Sequence, residues 1–191
     1  MRTNIAIALM AFGHFTQAAE PALTLAQSQT YLFDASRAGR TELVLDLVKA
    51  GTPIDATDAS GYTALILAAY NGKRDTVDAL LRAGADPNVG DRRGNTALMG
   101  AIFKGEEAIV LRLLDDARTQ VDARNRAGQT AAMFAALFGK QSVIDRLAAR
   151  GADLGAADAA GQTPQKLAQQ QGNAALAQHI AELAAKADVA R

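Results

Sequence analysis

The sequence predicts an all-α repeat solenoid, a stack of helix pairs. Three observations predict it. One phrase recurs: "SGYTALILAAYNGK" from Ser60, "RGNTALMGAIFKGE" from Arg93 and "AGQTAAMFAALFGK" from Ala127. Its threonines, Thr30, Thr63, Thr96, Thr130 and Thr163, stand 33, 33, 34 and 33 residues apart. The same register aligns Ala35, Ala68, Ala101, Ala135 and Ala168, and also Gly39, Gly72, Gly105, Gly139 and Gly172. Self-similarity at such a period marks a protein built by stacking one supersecondary unit.

Each element has its own reason. In "MRTNIAIALMAFGHFTQAAE" a basic Arg2 precedes an apolar run from Ile5 to Phe15 and then small residues. That order reads as a secretory signal peptide over residues 1–18, with cleavage after Ala18 or Ala19. Residues 19–24 form a short N-terminal segment. The repeat domain spans residues 25–186, in units of about 25–57, 58–90, 91–124, 125–157 and 158–186, and a tail covers 187–191. Within a unit, the Thr is placed to cap a helix by accepting an early backbone N–H. The Gly nine residues later stops that helix, because it turns the chain at positive φ without a Cβ clash. The aligned alanines permit a close approach between helices. A second, amphipathic helix follows, as in "RDTVDALLRAG". Its apolar residues fall on one stripe: Val77 with Leu80 and Leu81, Val110 with Leu113 and Leu114, Ile144 with Leu147. A turn such as "GADPN" and an Asp-, Asn- and Gly-rich stretch complete the unit. In the third unit "DDARTQ" between Leu114 and Val121 is one residue longer than its counterparts and lacks the glycine. It is expected to be a tolerated surface insertion, the alternative being a contact loop. The end units act as caps. Gln165 and Lys166 replace the apolar Leu65 and Ile66, and a last helix from about Asn173 to Lys186 closes the stack. Leu25 stands where the other units have Asp58, Asp91, Asn125 and Asp158.

The unit from Asp58 to Asn88 resembles the ankyrin repeat, and the resemblance runs from about Leu25 to Lys186. It implies an L-shaped, ankyrin-type stack of helix pairs with projecting β-hairpin fingers. The family's usual Thr-Pro-Leu-His opening reads "TYLF", "TALI", "TALM", "TAAM" and "TPQK" here. Pro164 alone keeps the proline, at a first helical position that suits it.

Composition excludes several function classes. Of 191 residues, 49% are hydrophobic, too many for a disordered chain. Twenty basic residues balance twenty acidic ones, so no net field attracts nucleic acid. Cysteine is absent, which removes disulfides and thiolate metal sites. The apolar run near the N-terminus is too short to span a membrane stably. No catalytic, cofactor or metal site is expected. His179 is expected to be an exposed histidine, and a lone imidazole without a nucleophile makes no triad. "NGKRD" and "FGKQS" lack the upstream glycine of a phosphate loop. "DATDASG" does not alternate its carboxylates as a calcium loop does.

Binding is the expected activity. Ankyrin-like stacks are docked at their finger tips and on the concave side of the first helices. Carried over by register, this face presents Tyr62, Tyr70, Phe103 and Phe138, flanked by Arg92, Arg93, Lys104 and Arg126, with Arg124 close by. Aromatic residues and arginine are frequent interface anchors. The alternative turns Phe103 and Phe138 into the core and leaves the arginines as a solvated face. The expected partner is a protein or peptide with apolar anchors and acidic groups, bound by a monomer in the bacterial periplasm. Small exported proteins of similar kind are linked to oxidative-stress defence beside catalases, and others to neutralising toxic effectors. A passive scaffold of an envelope complex is the further alternative. The residues do not select among these roles.

Overall fold

A computed structural model describes residues 23–189. The leader read over residues 1–18 lies outside them. Ten helices occur among the described residues: α1 (Leu25–Ala38), α2 (Thr41–Lys49), α3 (Ala64–Tyr70), α4 (Arg74–Arg82), α5 (Ala97–Lys104), α6 (Glu107–Asp115), α7 (Ala131–Leu137), α8 (Gln141–Ala149), α9 (Pro164–Gln170) and α10 (Ala174–Val189). They form five pairs in two layers. The first helices α1, α3, α5, α7 and α9 pack in series, as do the second helices α2, α4, α6, α8 and α10.

The core lies between the layers and follows the repeat. Ala68, Ala101, Ala135 and Ala168 are fully buried and Ala35 nearly so. A larger side chain there would push neighbouring helices apart. From the second layer Leu80, Leu113 and Leu147 are also fully buried. No unit could bury these faces alone, so each neighbour supplies the missing wall.

The helix starts follow the expected chemistry, with two departures. Thr63 Oγ1 accepts from the Ile66 N–H at 3.1 Å, Thr96 from Met99 at 3.4 Å and Thr163 from Lys166 at 3.3 Å. Thr130 does not cap this way. The Met133 N–H goes to the Thr130 carbonyl at 3.1 Å, and the buried Thr130 hydroxyl has no partner. Thr30 is the second departure. It lies inside α1, its hydroxyl bonded back to the Ala26 carbonyl at 3.0 Å. Residues 25–29, where the other units have a finger, are helical, so α1 begins earlier. Thr24 is its N-cap, in a capping box with Gln27.

The fingers are tighter than hairpins. Among the described residues there is no strand, only one isolated antiparallel bridge between Thr57 and Thr63. Each finger is a turn organised by one Asp or Asn. Asp58 Oδ1 accepts from the N–H groups of Ser60 and Tyr62, at 2.8 and 3.0 Å. Asp91, Asn125 and Asp158 repeat this arrangement. Neighbouring fingers are joined backbone to backbone: Arg92 N–H to Ser60 O, Arg126 N–H to Arg93 O, Ala159 N–H to Ala127 O. Gly61 is needed twice over. Its φ is +81°, and a Cβ there would lie 2.6 Å from the Arg92 nitrogen.

The longer loop of the third unit is built into the stack. Arg118 pairs with Asp116 and reaches back to the Leu81 and Ala85 carbonyls at the end of α4. Arg150 makes the corresponding reach to the Leu114 and Thr119 carbonyls. Asp115, at the end of α6, is met by Arg146. At the C-terminal end, α10 runs three residues past Lys186, to Val189. His179 on it is half-buried, not exposed, because its Nε2 sits 2.5 Å from Asp145 of α8.

Candidate functional site

The ends of α3, α5 and α7 and the fingers beside them enclose an open groove of about 790 Å³. Its floor is apolar, with Ile66, Met99, Met133 and Phe134 among the lining residues. The register that buries the aligned alanines puts the last turn of each first helix at the rim.

Three aromatic rings stand along this rim. Tyr70 is 40% exposed, Phe103 50% and Phe138 39%, so none is turned into the core. Tyr70 and Phe103 stack, with centroids 6.1 Å apart and planes 12° from parallel. Phe103 and Phe138 meet edge to face at 5.5 Å and 86°. The sequence register explains the change in geometry. Tyr70 and Phe103 are one repeat apart, but the true counterpart of Phe103 is Leu137. Phe138 comes from the next position along the chain and arrives from the side. Both arrangements suit the ring quadrupole.

Cations flank the rings. Lys104 Nζ lies 5.0 Å from the Tyr70 ring centroid, a cation–π contact. Arg92, Arg93 and Arg126 line the groove from the finger tips and are exposed. Among the described residues no ion pair engages their guanidinium groups. Asp91, the one carboxylate among the described lining residues, is already used: it accepts from the Arg93 and Asn95 backbones and the Asn95 side chain. The groove therefore offers an apolar floor, aromatic edges and a positive rim.

Of the nine residues singled out in the sequence, Tyr62, Tyr70, Arg92, Arg93, Phe103, Arg126 and Phe138 line this one groove. Lys104 adjoins it over Tyr70. Arg124 does not take part. Its guanidinium is turned onto the Gly128 and Ala157 carbonyls, at 3.1 and 2.7 Å, and braces two fingers together. Sequence reasoning missed Gly100. It lines the groove from within α5, where the register has Asp34, Leu67, Phe134 and Leu167 in the other units. Glycine at a helix interior costs about 1 kcal/mol relative to alanine. Its break from the repeat pattern was visible in the sequence.

Residues 32–125 match the family model for ankyrin repeats (three copies). The match spans the first three units, and the fourth and fifth continue the same helix pairs in register. The fold is an ankyrin-repeat stack, an architecture that serves in general for protein–protein interaction rather than catalysis. No curated protein matches the chain. No helix among the described residues is long and apolar enough to cross a membrane.

Proposed function

We propose that this protein is a monomeric binding module exported to the bacterial periplasm, where the groove holds a protein or peptide partner. The observation that carries this reading is the exposed ladder Tyr70, Phe103 and Phe138 beside arginines that have no acidic partner among the described residues. Exposed aromatic area next to uncompensated cations stabilises little in an isolated chain. It contributes once a partner covers the rings and brings carboxylates to the rim. Export is supported by the order of Arg2, the apolar run to Phe15 and the small residues after it.

The test has two parts. Mass spectrometry of the mature N-terminus in cell fractions reads processing and compartment. An N-terminus at Ala19 or Glu20 in the periplasmic fraction is expected, and an intact Met1 in the cytosol refutes export. Affinity capture from that fraction, with the unaltered chain beside Arg92→Glu/Arg93→Glu and Phe103→Ser, reads the face. Both variants should lose the partner while keeping their helical spectrum. A partner retained by both places the binding face elsewhere. One stoichiometric partner marks a dedicated binder, and its identity decides between stress defence and neutralising an effector. Several weak partners mark a scaffold.

A further inference from the structure

Gly100 is not required by the fold. Its φ is not in the left-handed region, unlike the glycines that stop the helices. A Cβ built on it would meet one atom within 4 Å, Tyr70 Cδ2, at an ordinary contact distance of 3.7 Å. Neither backbone conformation nor crowding therefore explains a helix-weakening residue at this point. Of the four equivalents, Leu67, Phe134 and Leu167 put apolar bulk here, and the first unit has Asp34. At Gly100 that bulk is missing, and the space opens into the groove beside Tyr70, Met99 and Phe103.

The charges are arranged around this space. Gly100 lies midway along α5 (Ala97–Lys104). Arg92 and Arg93 stand on the finger before the start of α5, and Lys104 ends it. Eight residues at 1.5 Å each make α5 about 12 Å long, the reach of roughly four extended residues. A ligand lying along the helix would meet a cation, then the gap, then a cation.

We propose that Gly100 holds open an anchor pocket, and that its occupant is a bulky apolar side chain of an acidic peptide segment, with carboxylates on both sides of the anchor within about four residues. The proposal rests on the groove being the binding face. The pocket is a specificity device: the missing side chain at 100 is supplied by the partner, and the positive rim fixes its register.

The test is selection of random ten-residue displayed peptides on the purified protein, followed by fluorescence anisotropy with the selected peptide. The peptides should carry an acidic, bulky apolar, acidic pattern. Affinity should fall in a graded way through Gly100→Ala, Gly100→Val and Gly100→Leu, by at least about tenfold for the last. Alanine and leucine favour helix over glycine, so these two variants should fold, as circular dichroism will verify. Lys104→Glu and Arg93→Glu should each weaken the same peptide. Equal affinity for Gly100→Leu overturns the anchor pocket, yet leaves the groove reading standing if Arg93→Glu still weakens binding. Selection without acidic bias, or no selected peptide, overturns the occupant. If a selected peptide also ignores Phe103→Ser, the groove reading falls with it.

Discussion

Arg118 offers a sharp test of how the longer third unit is held. Its side chain donates to Asp116 at 2.9 and 2.7 Å and to the Ala85 and Leu81 carbonyls at 3.2 and 3.0 Å. The last two close the end of α4, one repeat earlier, where positive charge also suits the helix dipole. A hydrogen bond from a charged donor contributes upwards of about 1.5 kcal/mol when buried. Arg118 is 45% exposed, so water competes and roughly half of that is appropriate for each carbonyl. The ion pair with Asp116 adds about 0.5 kcal/mol. Arg118→Met, which keeps the apolar stem, should therefore destabilise the protein by about 2 kcal/mol. In a urea titration followed by circular dichroism the midpoint should fall by about 1 M. The transition should also broaden, because the lost contacts couple the second and third units. Arg118→Lys should recover only part, since an ammonium cannot bridge carboxylate and carbonyls as the planar fork does. A loss below about 0.5 kcal/mol would refute the reasoning. The loop would then be a passive surface insertion.

Two further predictions concern the caps and the carboxylates. Thr63→Val removes a cap acceptor from the Ile66 N–H and should cost about 1 kcal/mol. Thr130→Val removes a buried hydroxyl that has no partner and should be neutral or mildly stabilising; equal losses in urea titration would show that both hydroxyls are used. For pH, the Arg112 guanidinium hydrogen-bonded to Asp78, and that of Arg118 to Asp116, hold both carboxyls below the usual range. Their contribution is complete above the unfolded carboxylate value of about 4 and is lost as pH falls through the lower folded values. Burial shifts Asp55 the opposite way, so its protonation favours the folded state and offsets part of that loss. Stability should drop as pH falls from about 5 towards 3, and less steeply in Asp78→Asn; identical slopes would remove Asp78 from the account.

The repeating parts of the fold were legible because one residue type does one job at one spacing. The buried alanines, the helix-stopping glycines and the Leu80, Leu113 and Leu147 stripe all lie where the register puts them. Reading failed where the surroundings of a position differ from those of its equivalents. Thr30 matches the other caps in sequence, but residues 25–29 are helical where the other units have a finger, so α1 runs through it. Arg118 is an ordinary loop residue in sequence, and its reach to Leu81 depends on a neighbour thirty-seven positions away. His179 stands where the register suggests a surface residue, but Asp145 of the neighbouring α8 gives it a partner. The nine predicted groove residues show the same limit. The register brought seven to one groove, but only geometry showed the rings outward and Arg124 spent on a brace.

This division has a physical basis that bears on the proposed function. Stability in a stack is a sum over units and their interfaces. Here the buried core that carries them, with Ala68, Ala101, Leu80 and Leu113 among its members, does not include the three exposed rings. The rings at Tyr70, Phe103 and Phe138 and the finger-tip arginines can therefore vary with little effect on folding. A helix weakened at Gly100 is tolerated for the same reason, because Leu98, Ala101 and Ile102 on its buried face remain packed. Substitutions at the exposed rim of the groove should change what is bound before they change whether the chain folds. Substitutions at Ala101 or Leu113 should do the reverse.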